Sequence, residues 1–151
     1  MGAREGCDPS GSRTALTVIV DSYAWVEFLS AGPHGPEVRE RLESPGEIVT
    51  PDLVLAEVAR VFARQGMERD RIAGHLRSIG ALSSVLAVSV DVALETARTS
   101  EELRQRSRRM RTGPPSFADA VVLSFARCLG GKVLTADKHF RGLPEVDWIG
   151  G

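Results

Sequence analysis

Short apolar runs that end in an aspartate are the feature of this chain that most constrains its fold. Residues 16–20 are followed by Asp21, and residues 133–136 are followed by Asp137. Brief β-branched and aliphatic runs are typical of strands buried on both faces, as in parallel sheets. Segments with helical spacing separate these runs, so the sequence predicts an α/β sandwich with a central, mostly parallel sheet flanked by helices.

The chain has 151 residues, which predicts one domain over residues 15–151. Residues 1–14 are rich in Gly, Ser and Arg and predict a loose N-terminal arm. The predicted strands are 15–20, 47–49, 85–90, 132–134 and 147–149, and the predicted helices are 22–29, 37–43, 51–64, 69–79, 92–109 and 117–129. Thr50, Asp91 and Ser116 are the expected N-caps of the helices predicted at 51–64, 92–109 and 117–129, respectively.

Two further acids lie inside apolar helices. Glu57 lies within residues 53–59 and Asp119 within residues 117–123, and the neighbours one turn away are mainly apolar, so both side chains are expected to face inward. Burying a carboxylate is costly unless something compensates its charge. Ligands in open α/β folds gather beyond the carboxyl ends of the strands, where Asp21 and Asp137 lie.

Clustered carboxylates repel each other, and a shared cation removes that repulsion. Ligands that are all oxygen favour Mg²⁺ or Mn²⁺. A divalent ion of this kind can orient a water and neutralise charge on a phosphodiester. The four acids therefore predict hydrolytic cleavage of nucleic acid.

The ordered set of motifs resembles that of the PIN-domain ribonucleases, and most closely the VapC-type toxins of prokaryotic toxin–antitoxin pairs. The similarity extends over about residues 15–150. The matching motifs are VIVDS at 18–22, PDLVLAEV at 51–58, SFADA at 116–120 and LTADKHF at 134–140. The resemblance implies a PIN-like three-layer sandwich.

The resemblance also implies a metal-dependent endoribonuclease, the toxin component of a type II toxin–antitoxin system. Four acids would hold Mg²⁺ (or Mn²⁺) and carry catalysis, supported by two hydroxyls. The implied acids are Asp21, Glu57, Asp119 and Asp137, and the implied hydroxyls are Ser22 and Thr135. The implied partners are an RNA substrate, a cognate antitoxin and a second copy in a homodimer.

Each acid has an ordinary alternative role. Asp21 and Asp137 are placed to cap the elements that follow them, and Glu57 can pair with Arg60. Other functions also remain open: a phospho-acceptor receiver, an RNA-processing or structure-specific nuclease on the same fold, or a non-catalytic metal- or RNA-binding interaction domain.

Residues 104–111 contain five arginines and no acid, although the whole chain has a formal net charge of −1. A charge run is usually a solvated helix face. RNA binding is the alternative interpretation, because guanidinium groups suit phosphate contacts. The candidate RNA-binding residues are Arg104, Arg108, Arg109 and Arg111. The chain has no apolar run long enough to cross a bilayer and no signal-peptide core at its start, so the sequence predicts a cytoplasmic protein without membrane contact.

Overall fold

The computed structural model describes residues 16–150, and the predicted N-terminal arm lies outside the described residues. The strands are β1 Thr17–Val20, β2 Glu47–Pro51, β3 Ser84–Leu86, β4 Lys132–Thr135 and β5 Val146–Trp148. The helices are α1 Ser22–Leu29, α2 Gly35–Glu43, α3 Asp52–Arg64, α4 Arg69–Leu82, α5 Val90–Met110 and α6 Phe117–Leu129. A 3₁₀ turn, Lys138–Phe140, follows β4.

The five strands form one sheet in the order β3-β2-β1-β4-β5, and every pair is parallel. The prediction of a mostly parallel central sheet is therefore confirmed. The chain builds the sheet outward from β1 on one side, through β2 and β3, and then on the other side, through β4 and β5. The carboxyl ends of β1 and β4 thus form the topological switch point, where open α/β sheets place their ligands.

The helices form two layers. α1 packs against α2 and α3, α3 packs against α4, and α5 packs against α6. Because crossovers between parallel strands are right-handed, the reversal of direction after β3 puts α5 and α6 on the opposite face from α1 to α4. α6 lies against the centre of the sheet, and its residues Ala120, Val121, Val122 and Leu123 are buried there.

Three local predictions need correction. The third strand ends at Leu86 and does not reach residue 90, because α5 begins at Val90. Ser89, not Asp91, caps α5 through a 3.2 Å hydrogen bond from the Val92 backbone N–H. Thr50 is not a helix cap, because it lies buried in β2 and accepts a 3.1 Å hydrogen bond from the indole of Trp25.

The predicted cap at Ser116 is confirmed. None of the helices within residues 16–150 combines the length and the apolar character needed to cross a membrane.

Candidate metal centre

Asp21 lies at the carboxyl end of β1 and caps α1. Its Oδ1 accepts a 3.0 Å hydrogen bond from the Ala24 backbone N–H, and its Oδ2 accepts one from the Thr135 hydroxyl. Burial raises the pKa of Asp21 to about 7, although both hydrogen bonds lower it, and the charges of Asp137 and Asp119 raise it further. The capping role considered from the sequence is thus real, but it does not remove the cost of burying this carboxylate.

Thr135 connects two of the acids. Val20 is paired with Leu134 in the sheet, so the next residues, Asp21 and Thr135, meet at the same edge. The Thr135 hydroxyl donates to Asp21 and accepts a 2.9 Å hydrogen bond from the Asp137 backbone N–H. Ser22, the other candidate hydroxyl, is the first residue of α1 and is partly buried beside Asp21 in the chain.

Asp119 is held by the first turn of α6. Its backbone N–H donates to Ser116 Oγ at 3.1 Å, and its Oδ2 accepts from the Ser116 backbone N–H at 2.9 Å, which is a capping box. The side chain is 14% exposed. Burial raises the pKa of Asp119, and the negative charge of Asp137 adds to the rise.

Asp137 precedes the 3₁₀ turn and is bound on one side by His139. Its Oδ1 accepts a 2.9 Å hydrogen bond from the His139 backbone N–H and lies 2.8 Å from His139 Nδ1. The same ring nitrogen lies 3.7 Å from Asp119 Oδ2. His139 therefore lies between the two acids and restricts the orientation of the Asp137 carboxylate.

The opposite ring nitrogen of His139 reaches the segment between α5 and α6. Nε2 lies 2.8 Å from the Gly113 carbonyl oxygen. A carbonyl oxygen can only accept, so Nε2 donates this hydrogen bond. The imidazole thereby ties the segment that precedes α6 to the turn that carries Asp137.

Glu57 approaches the same region from α3, where it is half-buried. Burial raises its pKa, followed by the charges of Asp119 and Asp137, while Arg60 lowers it. The helical spacing predicted that Glu57 and Asp119 face inward towards the strand-end acids. The effects on pKa agree with that placement, since the charges of Asp119 and Asp137 each raise the pKa of both Asp21 and Glu57.

The tightest group consists of Asp119, Asp137 and His139, whose potential ligand atoms all lie within 4.8 Å of one another. Asp21 and Glu57 lie outside this tightest group. Within residues 16–150, no lysine or arginine forms an ion pair with any of the four acids. Among the described residues, His139 is the basic side chain within ion-pair distance of these acids, at Asp119 and Asp137. The carboxylate oxygens present fit a hard divalent ion such as Mg²⁺ or Mn²⁺.

His139 is not among the site residues predicted from the sequence, yet its side chain is only 13% exposed and contacts both acids. The available signal was its position two residues after Asp137, within a 3₁₀ turn that brings i and i+2 together around the carboxylate. Lys138, between them, is exposed.

The candidate RNA-binding arginines occupy the last turns of α5 and its end. Arg104 forms a 2.7 Å ion pair with Glu101, so part of its charge is balanced within the helix. Arg108 and Arg109 are exposed, and Arg111 is the left-handed C-cap residue with φ 54°. The segment that follows Arg111 leads directly to Gly113 and α6, so this basic end of α5 adjoins the acidic centre along the chain.

The fold and the site define a parallel α/β protein with an acidic, metal-compatible centre at the carboxyl ends of its central strands. The chain belongs to the PIN domain family, whose family model matches residues 18–146. A comparison with curated proteins gave no match.

Solved structures with this fold come from several bacterial toxin–antitoxin systems. One is a toxin–antitoxin complex from Klebsiella pneumoniae, with 20% identity, coverage of 86% of this chain and 95% of that chain, and a TM-score of 0.60. Another is Mycobacterium tuberculosis VapC20, described as a Sarcin-Ricin loop cleaving toxin, with 20% identity, coverage of 88% and 99%, and a TM-score of 0.64. A third is Rickettsia felis VapBC2 bound to a promoter DNA fragment, with 14% identity, coverage of 89% and 100%, and a TM-score of 0.64. These similarities establish a shared fold.

Proposed function

We propose that this chain is a Mg²⁺- or Mn²⁺-dependent endoribonuclease and the toxin component of a type II toxin–antitoxin pair. The observation that carries the proposal is the convergence of four acids, without a lysine or arginine ion pair among the described residues, at the switch point of the sheet. Membership of the PIN domain family supports it. The similar fold of VapC20, described as a Sarcin-Ricin loop cleaving toxin, gives further support.

In this proposal, Asp119 and Asp137 hold the divalent ion most directly, and Asp21 and Glu57 complete the negative site around it. When bound, the ion supplies acidity to a water and positive charge to the phosphodiester. Thr135 fixes Asp21 and the Asp137 backbone relative to each other. Ser22, at the start of α1 beside Asp21, is proposed as a second supporting hydroxyl.

We further propose a cognate antitoxin and a second copy of the chain as protein partners, and the cytoplasm as the place of action. Similar structures that are toxin–antitoxin complexes support the antitoxin, since they share this fold over most of both chains.

The deciding experiment is cleavage of a structured RNA pool by the purified full chain with Mg²⁺, with Mn²⁺ and with EDTA. We expect internal cuts with either metal and none with EDTA. A folded protein that binds the metal, as measured by calorimetry, but leaves every RNA in the pool intact would contradict the endoribonuclease proposal and favour a metal-binding domain without catalysis.

The exposed arginines at the end of α5 are proposed to contact RNA phosphates. Replacing both Arg108 and Arg109 with glutamine is expected to make the plot of log binding constant against log salt concentration less steep. The magnitude of its slope should fall by about one to two, because each lost phosphate contact removes roughly one released counterion. The measurement is fluorescence anisotropy of a labelled RNA at several salt concentrations, in EDTA so that no cleavage occurs.

The matched control replaces Arg69 and Arg77, two exposed arginines of α4, with glutamine. It changes net charge equally and is expected to leave the slope unchanged. Equal slopes for the wild type and the Arg108/Arg109 variant would show that this basic run is only a solvated helix face.

A further inference from the structure

Phe117 is a large apolar side chain that the fold leaves in solvent. It is the first residue of α6, and it is 72% exposed. The other aromatic side chains within residues 16–150 are buried or partly buried; Trp25, for example, is fully buried in the core. Phe117 therefore contributes little to the core, and its exposed ring lies two residues before Asp119 in the chain.

The backbone that carries this ring is fixed on both sides. The capping box between Ser116 and Asp119 holds the first turn of α6, and His139 holds the Gly113 carbonyl oxygen at 2.8 Å. Between these two points lie Pro114 and Pro115, whose rings restrict φ. A ring on a segment that is already ordered loses little conformational entropy when a ligand packs against it.

The position of Phe117 relative to the acids follows from helix geometry. Phe117 and Asp119 are two residues apart, so their Cα atoms are separated by about 5 Å, and their side chains leave the helix about 200° apart. The carboxylate turns inward to the acidic centre, and the ring projects from the other side of the same turn. A nucleotide chain that has one phosphate at the acids and continues over the start of α6 would bring a neighbouring base to Phe117.

We propose that Phe117 is a stacking platform for an unpaired base next to the phosphodiester that the acidic centre cleaves. This inference rests on the proposed endoribonuclease function. Aromatic stacking tolerates any base, because every base has a π face, and a phenyl ring has no hydrogen-bond donor with which to identify one. Phe117 thus selects a base that is free to leave its own stack, regardless of its sequence identity.

The first test is the cleavage kinetics of Phe117→Ala and Phe117→Trp on a single-stranded RNA. Loss of one stacked base is expected to raise KM about tenfold in Phe117→Ala, while Phe117→Trp stays near the wild type. The matched control is Leu94→Ala, which removes another exposed apolar side chain (63% exposed) from α5. Leu94 lies about 24 Å along the α5 axis from Met110, so this variant is expected to keep the wild-type KM.

A series of RNAs distinguishes stacking from a merely structural role. Each RNA carries one abasic nucleotide, at a different position next to the cleavage site. One abasic position should raise KM for the wild-type protein. The same position should cause no additional loss in Phe117→Ala, because the ring and the base are partners. Independent effects of the abasic nucleotide and of the variant would overturn the inference.

The second test measures stacking in the absence of cleavage. In an Asp119→Asn background, RNA should quench the fluorescence of a tryptophan introduced by Phe117→Trp, and the abasic RNA should quench it less. The Asp119→Asn variant without Phe117→Trp is the control for the fluorescence of the two native tryptophans. These are Trp25, which is buried, and Trp148, which is partly buried beneath Arg141.

The two proposals can fail separately. A wild-type protein that cleaves RNA, with a Phe117→Ala variant of unchanged KM and no quenching, overturns the stacking role and leaves the nuclease intact. Quenching that depends on the base, in a protein that never cleaves, supports the stacking role and overturns the nuclease. If the protein shows neither cleavage nor quenching, both proposals are overturned. If Phe117→Ala cleaves like the wild type and loses binding only to a protein partner, the stacking role alone is overturned.

Discussion

Replacing Asp119 with asparagine is expected to reduce metal-dependent RNA cleavage by at least about a hundredfold. Mutation of residues that only contact the ligands of a metal already lowers metal affinity or activity by roughly 10- to 100-fold. Asp119 is in the tightest ligand group and lies within electrostatic range of the other three acids. Asparagine has the same shape but lacks the negative charge that a divalent ion requires. The measurement is the initial rate of cleavage at saturating Mg²⁺ or Mn²⁺.

The same variant is expected to fold as well as the wild type. The asparagine carbonyl can still accept the 2.9 Å hydrogen bond from the Ser116 backbone N–H, so the capping box survives. In EDTA at neutral pH, the variant should unfold at the same temperature as the wild type or higher, because burial and Asp137 disfavour the ionised form of Asp119. Loss of activity together with undiminished stability is the signature of a site residue.

Asp70→Asn is the matched control, since Asp70 is an exposed acid in the first turn of α4. It removes one negative charge in the same way, and it is expected to retain full cleavage. An Asp119→Asn protein that cleaves at the wild-type rate would contradict the assignment of Asp119 to the metal centre. An inactive Asp119→Asn protein with a strongly lowered unfolding temperature would instead indicate a structural role.

The sheet and the strand-end acids could be predicted because each depends on a local pattern. Short apolar runs placed β1 and β4 correctly, and an aspartate after each run lies at the carboxyl edge wherever the strands are parallel. Helical spacing was sufficient to predict that Glu57 and Asp119 face inward, because each has mainly apolar neighbours one turn away.

The remaining details depend on contacts that no local pattern contains. His139 was not predicted as a site residue because its partner Gly113 is 26 positions away in the chain, and only the packing of α6 against β4 brings them together. Thr50 looked like a helix cap, but burial beside Trp25 places it in β2. Asp91 and Ser89 are both good capping residues, and the exact start of α5 decides between them.

The unfolding stability of the metal-free protein is expected to fall as pH rises from about 4 to about 7. Burial raises the pKa of Asp21 from 3.8 to about 7, so the folded state binds a proton over this range that the unfolded state has released. Stability is lost wherever the folded state holds more protons. The raised pKa values of Glu57 and Asp119 act in the same direction.

For Asp21 alone, a rise from 3.8 to about 7 corresponds to a loss on the order of 4 kcal/mol, at 1.36 kcal/mol per pH unit. Glu102 acts in the opposite direction, because its hydrogen bond with Arg127 lowers its pKa. Subtracting the curve of Asp21→Asn from that of the wild type removes such contributions. Asparagine can still accept from the Ala24 backbone N–H and cannot ionise, so its curve in EDTA should fall less between these pH values.

Divalent metal should reverse the trend, because it stabilises the ionised acids that burial penalises. Thermal unfolding of the wild type with Mg²⁺ or Mn²⁺ is expected to show a larger gain over EDTA at pH 8 than at pH 5. At a hundred times the dissociation constant, the gain is roughly 2.7 kcal/mol. Parallel pH curves for the wild type and Asp21→Asn in EDTA would contradict the raised pKa of Asp21. A metal effect independent of pH would show that the ion binds away from these acids, since only binding to their ionised forms links metal affinity to proton release.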